Sequence, residues 1–413
     1  MFTAPSTTTT CPVCGSQDLL PLIDLPDVPV HIGRQWRTAE LARTCPRGDI
    51  ALRYCRVCQH AFNTLFDPTL IEYTEEYDNS LDHSPRFRDY LTELAETLVT
   101  RYDLHDKDII EIGCGKGRFL ALLAELGDNR GIGFDPSADP SALRPDERRK
   151  VTLVQEYYAG DHADRRADFI CCRHVLEHIP DPVGFLQSIR GTLRPGESPI
   201  LYFEVPNLSL ILRDLSVWDV IYEHVSVFSL RSLAAAFLMA DFRILDLYES
   251  YDGQFLSIEV TPASVEAPLH SPSPQPSPNG TAEPLMAASE DTNATSFRDR
   301  VAQRTSHWAH FLERAEREDT RTVLWGGGSK AVGFLNLLGL RASAPAGSID
   351  YVVDINPNKH GRFLPGTGQE IVPPSFLQEY RPENVVIMNP IYRDEIGSTL
   401  RDLGITPTLH CAS

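Results

Sequence analysis

The chain has 413 residues, 42% of them hydrophobic and 23% charged, which suits two or three globular domains. Its formal net charge of −19 repels polyanions, so nucleic acid and anionic membranes are poor partners and a small-molecule substrate is expected. The apolar runs are too short to span a bilayer and the polar N-terminus lacks a signal-peptide core, which points to the cytoplasm.

The first chemistry-bearing elements are Cys11-Pro-Val-Cys14 and Cys55-Arg-Val-Cys58. Two C-x-x-C knuckles supply four thiolates, the donor set of a closed, structural Zn²⁺ site. The intervening segment is longer than the gap of about 15–20 residues in a zinc ribbon, so it must form structure of its own. The competing reading is a set of reduced, unligated thiols. Cys45 falls outside both pairs and is read as a spare, and with no secretory signal the nine cysteines do not suggest disulfides. Residues 1–68 are taken as this zinc-binding domain.

From 69 to 261, helical and strand patterns alternate, which predicts a largely parallel sheet with helices on both faces. A helix over 87–102 precedes a strand over 108–112, and that strand runs into Glu111-Ile-Gly113-Cys-Gly115-Lys-Gly117. A dinucleotide fingerprint would need glycine at 118, where Arg118 stands. Gly113, Gly115 and Gly117 let backbone approach a ligand, while Glu111 suits a cofactor bearing an ammonium group and would repel a pyrophosphate. S-adenosylmethionine (SAM) is therefore the expected cofactor. After a helix over 118–127, a strand over 130–135 ends at Asp135, where Rossmann-type sheets hold the ribose hydroxyls.

Further strands are predicted over 151–154, 168–172 and 200–205, and an antiparallel pair over 244–249 and 254–260. The fourth strand leads into His174-Val-Leu-Glu177-His178. This matches the H-x-x-E-H pattern of inverted zincins, but its place at the carboxyl edge of a doubly wound sheet favours a ligand crevice over a protease site. A helix over 174–179 would put His174 and His178 on one face, with His174 near the cofactor. For His178 a catalytic role and a structural one stand level on the residues alone. Tyr222-Glu223-His224 follows the fifth strand, and a histidine beside a carboxylate is a candidate general base.

Residues 262–296 include Ser-Pro repeats that cannot hold regular structure and read as a linker or insertion. A helix over 297–318 opens the last unit, 297–413, whose strands are expected near 323, over 350–354 and over 384–388. Its Gly326-Gly-Gly328-Ser-Lys330-Ala331 loop matches G-x-G-x-x-A, with Asp354 at a later strand end. Lys330 there would hold a phosphate, or the segment is only a tight turn.

Taken in order, the cysteine pairs, the E-x-G-x-G-x-G loop, Glu223-His224 and the glycine-lysine loop resemble the SAM-dependent sugar C-methyltransferases that act on nucleotide-linked 4-keto deoxysugars. The tail Tyr351-Val-Val-Asp-Ile-Asn-Pro-Asn-Lys-His-Gly is similar to that family's C-terminal domain. The resemblance implies a class I methyltransferase Rossmann-like α/β domain, flanked by a small zinc domain and a second Rossmann-like domain. It implies His224 as base with Glu223 as its partner, His178 near the enolate oxygen, and Tyr77 and Ser80 closing the substrate pocket. Tyr222 directly precedes Glu223, where the family has Tyr-x-Glu-His. The expected reaction is C-methylation through an enolate. The alternatives are O-methylation of a sugar or other small metabolite, or a nonenzymatic SAM or nucleotide sensor.

Overall fold

Three sheets organise the chain in its computed structural model, which describes residues 8–71, 81–158, 166–194, 196–263, 287–339 and 349–413. The N-terminal part contributes β1 (Leu19–Pro29), the short helix α1 (Ala39–Arg43), β2 (Arg47–Cys55) and β3 (Ala61–Asn63). β1 and β2 pair antiparallel from Leu19 opposite Cys55 to Pro29 opposite Arg47. The segment between the cysteine knuckles therefore forms a hairpin of its own.

Helix α2 (Pro85–Tyr102) starts behind Ser84, whose hydroxyl accepts from the Phe87 amide, and Pro85 occupies the first turn, where no donor is lost. Its buried residues Phe87, Leu91, Leu94 and Leu98 recur at helical spacing and face the next sheet. Then β4 (Asp108–Ile112), α3 (Arg118–Gly127), β5 (Arg130–Phe134), β6 (Val151–Val154), β7 (Phe169–Arg173), α4 (Pro182–Thr192), β8 (Ile200–Pro206), α5 (Leu208–Asp214), β9 (Ser226–Val227), α6 (Leu230–Met239), β10 (Phe242–Ser250) and β11 (Phe255–Pro262) follow. Seven of these strands form one sheet in the order β10-β11-β8-β7-β4-β5-β6, parallel except for the antiparallel β10–β11 end. β9 leaves that sheet and pairs with β3, Ala61 opposite Val227, completing the four-stranded N-terminal sheet.

The last part contains α7 (Ala287–Arg317), β12 (Thr322–Trp325), α8 (Ser329–Leu337), β13 (Ile349–Val353), β14 (Glu370–Val372), α9 (Leu377–Tyr380), β15 (Asn384–Ile387), α10 (Arg393–Asp402) and β16 (Thr408–Cys411). Its five strands run parallel in the order β14-β13-β12-β15-β16.

Three expectations need correction. Helix α7 begins at Ala287, inside the expected linker, because 287–296 contain neither proline nor glycine to stop it. The helix expected over 174–179 is one 3₁₀ turn, Leu176–His178, since His174 adopts a left-handed φ of 55° and breaks the helical path. The flanking parts also share a core, although one face of the C-terminal sheet keeps a cluster of its own around Val323, Val353 and Val385. Phe297 and Trp308 of α7 share one apolar cluster with Leu22 of β1, Leu212 of α5 and Leu324 of β12.

Candidate active site

The glycine loop lies at the carboxyl ends of β4 and β5, where doubly wound sheets open toward ligands. Gly113 has φ 73°, and a Cβ there would stand 2.1 Å from Val175 Cγ2, so only glycine fits. Gly115 has φ 50° with open space beside it, and Gly117 caps α3. The Gly115 amide donates to Asp135 Oδ2 at 2.9 Å, while Ser137 N and Oγ donate to Oδ1 at 2.7 and 2.6 Å. Asp135 thus pins the loop to the end of β5 before any ligand arrives.

Glu111 is 3% exposed, and among the described residues its Oε2 has no hydrogen-bond partner. Burial pushes its carboxyl up to about 8, against the opposing pull of the Arg173 guanidinium. A buried carboxyl with one unpartnered oxygen, beside a loop of close-approach glycines, fits the ammonium of SAM, so Glu111, Gly113, Gly115, Gly117 and Asp135 would hold that cofactor.

His174 lies between two acids, Nε2 3.1 Å from Glu204 Oε1 and Nδ1 3.6 Å from Glu177 Oε1. Burial alone would lower its pKa, but Glu177 and Glu204 outweigh that and hold it at about 9. Burial likewise pushes Glu204 up, yet Arg173, His174 and Tyr90 keep it well below the usual carboxylate range. The Arg173 guanidinium donates to Glu204 Oε1 at 2.7 and 3.1 Å, and the Tyr90 and Tyr202 hydroxyls donate to Oε2. His174 lines the cavity as a member of this network.

His178 turns the other way. Its Nδ1 is 2.9 Å from the Glu223 carbonyl oxygen, which can only accept, so Nδ1 carries the proton and Nε2 the lone pair. The His224 ring stands nearly perpendicular to it, centroids 5.0 Å apart. Burial, then His178, drives the His224 pKa down to about 3, which keeps its ring neutral. Glu177 is 1% exposed beside the pair. Burial raises its pKa, but His174, His178 and His224 outweigh burial and leave it below the usual value, hence ionised.

Two of the expected catalytic residues are elsewhere. The Tyr222 ring lies so close to Gly48 that a Cβ there would come within 2.4 Å of it, and its hydroxyl accepts from the Asp67 amide at 2.9 Å. Glu223 accepts from the Ile32 amide, and burial pushes it up to about 8. Neither lines the cavity. Tyr222 and Glu223 are the central residues of a turn closed by the bond from the His224 amide to the Ile221 carbonyl at 3.2 Å, and the chain reverses there, so adjacency in sequence does not put the Glu223 carboxyl beside the His224 ring. The carboxylate beside the histidines is Glu177.

A cavity of about 1090 Å³ joins Glu111, Gly115, Asp135, His178 and His224 to Ser329, Lys330 and Asn389 of the C-terminal part. Lys330 is not free for a phosphate, because its ammonium is paired with Asp219. The second glycine loop is also filled from within. Asp354 accepts from the Gly327 amide at 2.8 Å, and Lys359 Nζ lies 3.3 Å from both Asp354 Oδ2 and the Gly327 carbonyl. Asn389 and Gln254 exchange two amide hydrogen bonds, 2.9 and 3.2 Å, across the cavity wall. Sequence reasoning missed the roles of Glu177, Asp219, Gln254 and Asn389. Only Glu177 left a signal, because Glu177-His178 repeats the Glu-His pair at 223–224. Tyr77 and Ser80 lie outside the described residues.

At the N-terminus the sulfurs of Cys11, Cys14, Cys55 and Cys58 lie within 4.8 Å of one another, with the Cys11–Cys58 and Cys14–Cys55 pairs each at 3.5 Å. Zn–S bonds of about 2.3 Å place tetrahedral sulfurs about 3.8 Å apart, so this donor set fits Zn²⁺. Cys45 is buried away from this set. No helix among the described residues is long and apolar enough to cross a membrane.

Residues 82–247 match the methyltransferase domain family, and residues 257–405 match the C-methyltransferase C-terminal domain family. The C-methyltransferase NovU of Streptomyces niveus is 25% identical over 315 residues, 74% of this chain and 72% of that protein. A ubiquinone biosynthesis O-methyltransferase of Actinobacillus pleuropneumoniae is 29% identical over 31% of this chain and 55% of its own length. Among solved structures, the Burkholderia thailandensis 1,6-didemethyltoxoflavin-N1-methyltransferase with bound S-adenosylhomocysteine covers 50% of this chain and 96% of its own, at 17% identity and a TM-score of 0.35.

Proposed function

Starting from a SAM-dependent methyltransferase that carries the C-terminal domain of C-methyltransferases, we propose that the acceptor is a nucleotide-linked keto-deoxysugar, methylated at the carbon beside its ketone. The observation behind this reading is the shared cavity, in which the glycine loop and the His178–His224 pair face one space walled by the C-terminal part. Glu111 and the glycines would hold SAM, which when bound would supply an electrophilic methyl group for a carbon nucleophile.

His224, neutral in its half-buried position on the cavity wall, takes the proton from the carbon beside the ketone. The ionised Glu177 carboxylate then stabilises the imidazolium that forms, so Glu177 replaces Glu223 as partner of the base. Burial holds the His178 pKa below its ordinary value against the opposing pull of the Glu177 charge, so Nε2 rests unprotonated and His178 donates to the enolate oxygen only after a proton reaches that nitrogen. Zn²⁺ in the four-cysteine set would brace β3, which pairs with β9 two residues beyond His224.

Deuterium entry from solvent into the carbon-bound position of a keto-sugar nucleotide tests this mechanism, since O-methylation passes through no enolate. His224→Ala should slow exchange and methyl transfer together by about two to four orders of magnitude while SAM uptake is kept. Near-normal turnover in that variant would remove His224 from the mechanism.

A further inference from the structure

We propose that Glu177, His178 and His224 form a second metal site, a two-histidine, one-carboxylate set for a borderline divalent cation of the Zn²⁺ or Co²⁺ type, open toward the cavity. Each residue offers a ligand atom, and the three atoms lie within 4.8 Å of one another. Around Zn²⁺, with bonds of about 2.0–2.1 Å, such atoms stand roughly 3.3 Å apart, so the set needs to draw in by about an ångström or somewhat more. All three residues line the cavity, which leaves the remaining coordination positions facing it.

Two further observations point to a cation. Glu177 is 1% exposed, yet neither of its carboxylate oxygens has a hydrogen-bond partner among the described residues, and His174 Nδ1 comes no closer than 3.6 Å to Oε1. Its charge is offset by the His174 imidazolium only across 3.6 Å, so both carboxylate oxygens keep lone pairs that no hydrogen bond occupies and that a cation can take. The bond from His178 Nδ1 to the Glu223 carbonyl is the outer-shell contact that fixes metal-bound histidines, because it directs the Nε2 lone pair to the ligand position. The donors are nitrogen and oxygen, so this site differs in chemistry from the four thiolates near the N-terminus.

One consequence rests on the assignment of His224 as base, although the binding itself does not. A ring nitrogen committed to a metal cannot accept a proton, so the cation and the base exclude each other. Zn²⁺ at this site is therefore an inhibitor of methyl transfer that a chelator relieves.

The test is a Co²⁺ titration of the full-length protein with its cysteine-bound metal retained, followed by visible absorption. The expected result is one further equivalent with d–d bands and no thiolate charge-transfer band. Glu177→Gln should weaken that uptake at least about tenfold. His178→Gln provides a second variant, and near-UV circular dichroism establishes that each is folded. Equal Co²⁺ stoichiometry and affinity in wild type and both folded variants would overturn the site. Uptake that leaves turnover untouched would keep the site and dismiss His224 as base, so the two assignments fail separately.

Discussion

Loading SAM onto the free protein should expel a proton from Glu111. Its carboxyl is 3% exposed and held up to about 8 by burial, so at pH 7 roughly 0.9 of the molecules carry the proton. An ammonium placed within about 4–6 Å lowers a carboxyl pKa by about 1–3 units. With a drop of about two units, roughly 0.8 proton leaves per SAM bound at pH 7, and the affinity contributed by the ionised carboxylate is about tenfold. The same linkage makes SAM binding about fivefold tighter at pH 7 than at pH 6, a range in which the SAM ammonium itself stays charged. Isothermal titration calorimetry at pH 7, in buffers of different ionisation enthalpy, reads the released proton as the slope of observed enthalpy. Glu111→Gln should abolish that slope, flatten the pH dependence and weaken binding about tenfold. Wild-type binding with no buffer dependence, and with affinity equal to that of the Gln variant, would refute the pairing of Glu111 with an ammonium.

Two other outcomes are expected. His174 is lowered by burial but raised further by Glu177 and Glu204 to about 9, above its usual value of about 6.5, so its contribution to stability is complete below pH ~6.5 and is lost as pH rises through about 9. Urea midpoints should fall over that window in the wild type and fall less in His174→Gln; parallel curves would show that the ion-paired histidine contributes nothing. Lys330→Met should destabilise by about 1–3 kcal/mol, because it leaves Asp219, only 20% exposed at its side chain, without its cation. Adding Asp219→Asn should restore part of that loss in urea unfolding, and a double variant no more stable than the single one would contradict the pairing.

What the sequence alone determined is local. Glu111 to Gly117, the strand before them and Asp135 after them were legible because close backbone approach and strand-to-helix turning depend on residues a few positions apart. The same holds for the two C-x-x-C knuckles, each of which brings its own pair of sulfurs together, and for most strands of the parallel sheets. Tertiary structure decided which way side chains point and what lies across from them. It sent Glu223 to Ile32 and His178 to the Glu223 carbonyl, set Glu177 beside His224, and closed Asp219 over Lys330. It also drew Asn389 to Gln254 and let α7 join the N- and C-terminal parts through a shared apolar cluster. These contacts depend on packing between elements far apart in the chain, where side-chain direction is set by neighbouring layers, and sequence spacing carries no record of that direction.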